Sequence, residues 1–121
     1  MMLKLLIWLL PYREIGWKGI GEVFYRFTLM KTPWFNLYLH RLWAPNPHPQ
    51  CHDHPWWFYT LILKGGYLET QEGVVWTWRS PGTILYRPAE FKHNVVTLKT
   101  PVWSLVLTGP REREWGFLDC N

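Results

Sequence analysis

The sequence has little cysteine, no long apolar run and no cluster of basic residues. Two cysteines in 121 residues, Cys51 and Cys120, are too few for a disulfide framework, which favours a protein of the reducing cytosol. The 13 Lys and Arg residues are scattered along the chain and give a formal net charge of +4. Because they form no basic stripe, a nucleic-acid partner is not indicated, although a basic protein can still attract an acidic substrate.

The first ten residues are apolar apart from Lys4, but this stretch is far shorter than the roughly 20 residues that a membrane-spanning helix needs. It is not followed by the small-residue cleavage site that a signal peptide requires. We therefore predict no membrane span and interpret residues 1–21 as an N-terminal arm. A short helix or extended segment in this arm would pack on the domain or on a neighbouring subunit, and an interfacial membrane anchor is the alternative.

Helical periodicity is missing between Gly21 and Gly109. Residues 12–21 carry three glycines and are typical of a loop. Beyond them, segments rich in Val, Phe, Tyr and Thr alternate with Gly and Pro turns. The predicted strands are 22–30, 34–43, 56–63, 67–71, 74–79, 83–87, 94–98, 102–108 and 114–118. This pattern predicts a single all-β domain over residues 1–121, with a sandwich or barrel at 22–118.

Aromatic residues are abundant, and ten of the 121 residues are Trp. Large rings fill the interior of sheet structures well, and surplus rings often line a ligand pocket or a subunit interface. We expect most of the rings in the core and the remainder at a small-molecule pocket or a homodimer contact.

Two histidines stand close together in the motif His52-Asp53-His54-Pro55. The pair lies at the entrance to the predicted strand 56–63, and residues two apart on a strand point the same way. Both imidazoles could therefore meet one ion while Asp53 faces away. A third imidazole, His93, opens the strand 94–98. Three neutral nitrogens from separate strands predict an open metal site, and open positions are typical of catalytic rather than structural sites.

Imidazole ligands suit zinc, copper, iron and nickel, so the ligand type leaves the metal open. The alternative is that His52 and His54 are solvated loop residues and that His93 is a hydrogen-bonded surface group. Neither His40 nor His48 has a spaced partner, so we do not expect either of them to bind the ion.

The histidine pair and the residues after it resemble the first motif of cupins, a superfamily of double-stranded β-helix (jelly-roll) barrels. That motif has His-x-His, then usually a Glu, and then a Gly turn. The pair and the turn Gly65-Gly66 are present, but the Glu would fall at Phe58 or Tyr59. The resemblance therefore implies three His ligands without an acid, as in the thiol dioxygenase branch of cupins.

The second cupin motif has Gly, a strand, Pro and a His before another strand. Gly82, Pro88 and His93 follow that order, with Glu90 where Gly is common. More narrowly, His-Asp-His-Pro-Trp, Gly-Gly-Tyr-Leu-Glu and Thr-Gly-Pro-Arg-Glu-Arg-Glu-Trp-Gly-Phe resemble a group of small cupin-like proteins common in bacteriophage genomes. This likeness spans residues 34–117 and implies a cytoplasmic protein, in the host cytoplasm if the chain is phage-encoded.

A ligand set of three imidazoles is neutral, so a divalent ion would keep its full charge and favour an anionic substrate. The resemblance implies Fe²⁺ first, with Zn²⁺, Ni²⁺ or Mn²⁺ as alternatives. Glu69, on the predicted strand 67–71, could supply the missing carboxylate if its side chain points inward. Otherwise it is a surface residue or an outer partner of one ligand.

Arg87, Tyr59 and Glu69 form the candidate catalytic set. The Arg87 guanidinium could fork onto a carboxylate or phosphate of the substrate, with a structural salt bridge as the alternative. Tyr59 lies on the strand that follows the histidine pair, and Tyr67 and Tyr86 are further candidate proton donors. The residues of that strand that share the parity of the histidines should wall the pocket, namely Trp56, Phe58 and Thr60.

These features together predict a metal-binding protein that is an enzyme of dioxygenase or isomerase type, acting on a small polar or anionic molecule. One alternative is a barrel that binds a small molecule without turnover. Another is a phage accessory protein whose aromatic surface binds a host or virion protein.

Overall fold

The computed structural model describes residues 12–14, 23–46, 50–98, 100–114, 116–118 and 120, and these residues form strands and no helix. The all-β prediction is therefore confirmed for this part of the chain, which also contains no helix able to cross a membrane. The predicted N-terminal helix falls outside the described residues. The strands are β1 (Tyr12–Glu14), β2 (Val23–Lys31), β3 (Asn36–Trp43), β4 (Cys51–His52), β5 (Phe58–Lys64), β6 (Tyr67–Thr70), β7 (Thr77–Arg79), β8 (Ile84–Arg87), β9 (Asn94–Thr97), β10 (Val102–Thr108) and β11 (Phe117–Leu118).

The strands pair in antiparallel fashion and build two layers. The larger sheet has the order β1-β2-β3-β10-β5-β8. The second layer consists of the sheets β7-β6-β9 and β11-β4, which an isolated antiparallel bridge between His52 and His93 joins. His52 and His93, two of the three histidines predicted to bind a metal ion, therefore lie at the junction of the two smaller sheets.

Strand β5, which lies between β10 and β8, shows why these segments are strands. Phe58, Thr60 and Ile62 are buried, whereas Tyr59 and Leu63 are exposed. This alternation is typical of a strand with one face on the core. The inward residues of β5 consequently form one wall of the space between the layers.

The turn that closes β5 requires glycine, as its Gly-Gly sequence predicts. Gly65 and Gly66 have φ angles of 98° and 76°, in the left-handed region that disfavours other residues. A Cβ on Gly65 would also lie 2.5 Å from the carbonyl oxygen of Pro101. Both the backbone angle and the neighbouring backbone therefore exclude a side chain there.

Two short strands were not predicted. β1 lies in the segment 12–21, whose glycines favour a loop, and it forms because it pairs with β2, with Tyr12 opposite Phe27. β4 is only two residues long and pairs with β11, with Leu118 opposite Cys51. Strands of this length carry no usable alternation, so only their tertiary partners reveal them.

The core consists of two clusters of buried side chains between the layers. One contains Tyr38, Trp56, Phe58 and Val106. The other contains Ile62, Tyr67, Val95 and Val102. Because members of both layers meet in the second cluster, it ties the large sheet to the small one.

Substitution of Ile62 by Ala is expected to lower the free energy of unfolding by at least about 2 kcal/mol, because it leaves a cavity among packed side chains. Ile62 is 1% exposed. The matched control is Ile84→Ala on the adjacent strand β8, where the side chain is 68% exposed and the expected change is below about 0.5 kcal/mol. Urea unfolding of both variants checks the difference, and equal losses would contradict this assignment of the core.

Candidate metal centre

Three buried imidazoles converge between the two layers. His52, His54 and His93 are 6%, 5% and 6% exposed. Their potential ligand atoms all lie within 4.8 Å of one another, and the three ring centroids are separated by 5.0, 4.6 and 4.8 Å. Imidazole nitrogens grouped around one point are a typical set of ligands for a transition-metal ion. The residues present therefore fit a divalent cation.

Backbone hydrogen bonds bring the three rings together. The N–H of His52 donates to the carbonyl oxygen of His93 at 2.9 Å, and the N–H of His93 donates to the carbonyl oxygen of His52 at 3.0 Å. The N–H of His54 donates to the carbonyl oxygen of Ala89 at 3.0 Å. His52 lies in β4 but His54 lies beyond its end, so the pair does not share one continuous strand as expected. Pairing with distant segments, rather than strand alternation alone, orients the two rings.

Hydrogen bonds at Nδ1 determine the tautomers of two rings. Nδ1 of His54 lies 3.1 Å from the carbonyl oxygen of Phe91, so we assign the proton to Nδ1 and the lone pair to Nε2. Burial, and then the neighbouring His93 and His52, lower the pKa of His54 far below its ordinary value. The ring is therefore neutral at physiological pH, which is the state that can bind a metal ion.

The ring of His93 is the second one held at Nδ1, and its partner is a carboxylate. Nδ1 of His93 lies 2.6 Å from Oε2 of Glu69. This carboxylate–histidine arrangement is common behind metal-binding histidines, where it orients the ring and raises its basicity.

Glu69 is itself 3% exposed and held by two arginines. Its Oε1 accepts hydrogen bonds from Nε of Arg79 at 3.0 Å and from Nη2 of Arg87 at 2.7 Å. Burial alone would raise the pKa of Glu69, but the hydrogen bonds and charges of His93 and Arg87 lower it to about 2. Glu69 is thus ionised, and it contacts the Nδ1 atom of His93. It is not among the described residues whose ligand atoms cluster.

The structure places the other two predicted catalytic residues away from the three imidazoles. Arg87 packs its guanidinium 4.2 Å from the ring centroid of Phe91, and it lines a separate cavity of about 250 Å³ together with Glu69. Tyr59 lies on the outer side of β5, is 45% exposed and contacts the ring of Tyr86. Arg87 is therefore linked to the three histidines only indirectly, through its hydrogen bond to Glu69. Tyr59 lies on the other face of the strand and is not linked to them.

A cavity of about 90 Å³ opens beside the histidines. Trp56, Phe58 and Thr60, the residues expected to wall it, do line it, and so does Tyr67. Burial, and then the nearby Glu69, raise the pKa of Tyr67 above its ordinary value, so its hydroxyl keeps its proton. Most of the remaining lining is aliphatic or aromatic, as in typical small-molecule sites.

Two polar residues of this cavity were not predicted from the sequence. Arg26 and Ser104 both line it. His40, which we did not expect to be a ligand, also lines it and lies outside the cluster of three. No local sequence signal marks Arg26 and His40, because only the register of the hairpin β2–β3 places them directly opposite each other.

Asp53 faces away from the imidazoles and anchors the loop that carries them. Its N–H donates to the carbonyl oxygen of Gly116 at 3.0 Å, and its Oδ2 accepts from Nη2 of Arg113 at 2.9 Å. The prediction that Asp53 faces away from the ion agrees with these contacts. The C-terminal segment therefore helps to hold the histidine loop in place.

The two cysteines, whose small number favoured a protein of the reducing cytosol, are joined in a disulfide between Cys51 and Cys120. Pairing of β11 with β4 brings the end of the chain beside Cys51. The number of cysteines alone could not reveal that these two are close in space, because they are 69 positions apart in the sequence. Since disulfides persist chiefly in oxidising surroundings, the cysteine content no longer supports a reducing cytosol.

No protein-family model matches this sequence, and no curated protein matches it either. Solved structures do match. A crystal structure of the DMSP lyase DddQ from Ruegeria pomeroyi DSS-3 is 21% identical over 89% of this chain and 60% of that one, with a TM-score of 0.65. The polyketide cyclase RemF from Streptomyces resistomycificus is 16% identical over 87% of this chain and 78% of that one, with a TM-score of 0.70.

The protein Rru_A2000 from Rhodospirillum rubrum, described as a cupin-2 domain, is 12% identical over 88% of this chain and 74% of that one, with a TM-score of 0.69. At these identities the likenesses establish the cupin fold alone. The chain spans only 61% and 60% of the lengths of the DMSP lyase structures that it matches.

Proposed function

We propose that this protein is a metal-dependent enzyme in which His52, His54 and His93 hold one divalent cation and the adjoining cavity takes a small anionic molecule. The observation that carries the proposal is the convergence of three buried imidazoles on a cavity, with one ring backed by an ionised carboxylate. A purely structural cluster would have no need of an adjoining cavity.

A bound divalent ion would supply Lewis acidity or, as Fe²⁺, the capacity to activate oxygen. Fe²⁺ is the first candidate and Zn²⁺, Ni²⁺ and Mn²⁺ are the alternatives, since imidazole does not discriminate sharply among them. The reaction class proposed is accordingly a dioxygenase, resembling the three-histidine branch of cupins, or a metal-assisted isomerase. Neutral ligands leave the positive charge of the ion undiminished, and this favours an anionic substrate.

The residues around the three histidines have distinct roles in this proposal. Glu69 orients His93, and Arg87 acts as a positioning residue that holds Glu69. The rings of Phe58 and Trp56 exclude water from the cavity, which strengthens electrostatic interactions inside it. The protonated hydroxyl of Tyr67 is the candidate hydrogen-bond donor to the substrate. We assign no role in the reaction to Tyr59, because its side chain lies on the outer face.

Purified protein is expected to contain about one equivalent of metal per chain, measured by inductively coupled plasma mass spectrometry. After removal of the metal by a chelator, the protein should again take up one equivalent of Fe²⁺ or Zn²⁺, because the three ligands are held in place by the fold. Folded protein that neither contains nor takes up metal would refute the proposal. Oxygen uptake by the Fe²⁺-loaded protein with small thiols and carboxylates then tests the dioxygenase version.

A second candidate function is binding of a small molecule without turnover. It is favoured by one observation, namely that the described lining contains no carboxylate that could act as a general acid or base. A ligand that remains bound through purification and is recovered unchanged from the metal-loaded protein would support this function over an enzyme.

A further inference from the structure

The cavity beside the three histidines has a guanidinium in its wall. Arg26, on β2, lines it together with His40 on β3. Nε of Arg26 donates to Nε2 of His40 at 3.2 Å. Its Cζ lies 4.5 Å from the ring centroid of Tyr38, 5.2 Å from that of Trp56 and 5.8 Å from that of Phe24. Three rings and one imidazole thus restrict the position of this guanidinium, so it is already oriented before a ligand arrives.

The register of the hairpin β2–β3 explains why this arginine faces inward. Arg26 is opposite His40, and the next pair along the strands is Tyr25 opposite Arg41. Because successive residues of a strand point to opposite faces, the first pair faces the cavity and the second pair faces away from it. Arg41 accordingly stacks near Tyr25 and Trp103 and is not part of the cavity lining.

The described residues of the cavity wall carry charge of one sign. The described residues that line it include one guanidinium and no carboxylate. His40 adds no charge of its own, since burial and then the charge of Arg26 lower its pKa well below its ordinary value. A cation on the three histidines would add to the positive charge of the cavity. Such a space selects against cations and neutral molecules and in favour of anions.

We propose that Arg26, positioned by His40, binds the carboxylate of a small monoanionic substrate whose other end reaches the three histidines. The second half of this statement rests on the proposed function, whereas the carboxylate subsite at Arg26 does not. A planar guanidinium is the group best suited to a carboxylate, because it can offer two parallel N–H donors.

The dimensions and lining of the cavity define the rest of the substrate. A volume of about 90 Å³ is small, since one water molecule in the liquid occupies roughly 30 Å³, so the substrate has only a few non-hydrogen atoms. Its body lies against aromatic and aliphatic side chains such as Trp56, Phe58 and Val106. These features favour a short carboxylate with an apolar body over a phosphate, which would need more polar donors than this lining offers.

Isothermal titration of the native protein and of Arg26→Gln tests the subsite. The probes are acetate, propionate and butyrate, each compared with its neutral amide, and inorganic phosphate. Each protein is titrated both loaded with Zn²⁺ and stripped by a chelator. The matched control is Arg41→Gln, which removes an arginine from the opposite face of the same sheet. Arg26→Lys is a second variant that keeps the charge but not the planar fork.

At least one carboxylate is expected to bind the native protein more tightly than its amide, in both the loaded and the stripped form. Arg26→Gln should weaken carboxylate binding about 10- to 100-fold, the size of a charge-assisted hydrogen bond, and change amide binding little. Arg26→Lys should give an intermediate loss, and Arg41→Gln none. Far-ultraviolet circular dichroism tests whether each variant is folded. If Arg26→Gln does not fold, the subsite is tested instead by comparing carboxylate binding of Arg26→Lys with that of Arg41→Gln.

The subsite is refuted if no carboxylate binds, if phosphate binds more tightly than every carboxylate, or if the preference for carboxylates survives in Arg26→Gln. Failure of the metal site would be seen separately, as absence of Zn²⁺ uptake by the native protein. In that case Arg26-dependent carboxylate binding in the stripped protein would still uphold the subsite.

Discussion

Replacement of His93 by Ala is expected to abolish stoichiometric metal binding. His93 supplies one of the three imidazoles that meet at the centre among the described residues, so its loss leaves two of these ligands. The affinity for Zn²⁺ or Fe²⁺ should fall by more than about 100-fold, because even the loss of an outer partner of a ligand costs roughly 10- to 100-fold. Metal content after purification and competition with a chromogenic chelator measure this change.

The variant should remain folded, since Glu69 keeps both arginine partners when the His93 ring is removed. His40→Ala is the matched control, because it deletes an imidazole that lines the same cavity but is not in the cluster. It should retain about one equivalent of metal. His52→Ala should repeat the loss seen with His93→Ala. Retention of metal by either cluster variant, or its loss in the control, would contradict the assignment of ligands.

Replacement of Glu69 by Ala is expected to damage stability and metal binding together. The carboxylate is buried and accepts hydrogen bonds from Arg79 and Arg87 while it contacts His93. Its removal leaves the guanidinium of Arg87, with a side chain 14% exposed, without its ion-pair partner. Breaking a buried pair from one side costs about 3–5 kcal/mol, which urea unfolding would reveal.

The same substitution should also lower metal affinity by about 10- to 100-fold, because the ring of His93 loses the carboxylate that orients it. Glu72→Ala is the control, since Glu72 is an exposed acidic residue three positions further along the chain. Glu69→Gln, which keeps the size but not the charge, should give smaller losses of both quantities. If Glu69→Ala destabilises the protein but leaves metal affinity unchanged, Glu69 has a structural role only.

Several features of the molecule could be predicted because they depend on local sequence. β10 spans Val102–Thr108 as predicted, and β2 differs from its prediction by one residue at each end. Both segments contain alternating or β-branched residues between Gly and Pro turns, and these properties act within a few residues. Strand 74–79 was placed less well, since the observed β7 covers only Thr77–Arg79.

The environment of the histidines could be predicted only in part. The motif His-x-His and the later His indicated which residues would meet. The partner of His93, however, is Glu69 on β6, and the partners of Glu69 are Arg79 on β7 and Arg87 on β8. Each of these contacts joins strands whose neighbours are determined by the topology of the sheets rather than by adjacent residues.

The sequence by itself determined most of the strands, the glycine turn after β5 and the identity of the three clustered imidazoles, because alternation, backbone restriction and residue type are local properties. Only the tertiary structure decided that Arg26 and His40 enter the cavity, that Tyr59 faces outward, and that Cys51 meets Cys120. These outcomes depend on register and on pairing between distant segments. A shift of one residue in register would exchange the two faces of a strand, and no local pattern specifies that choice.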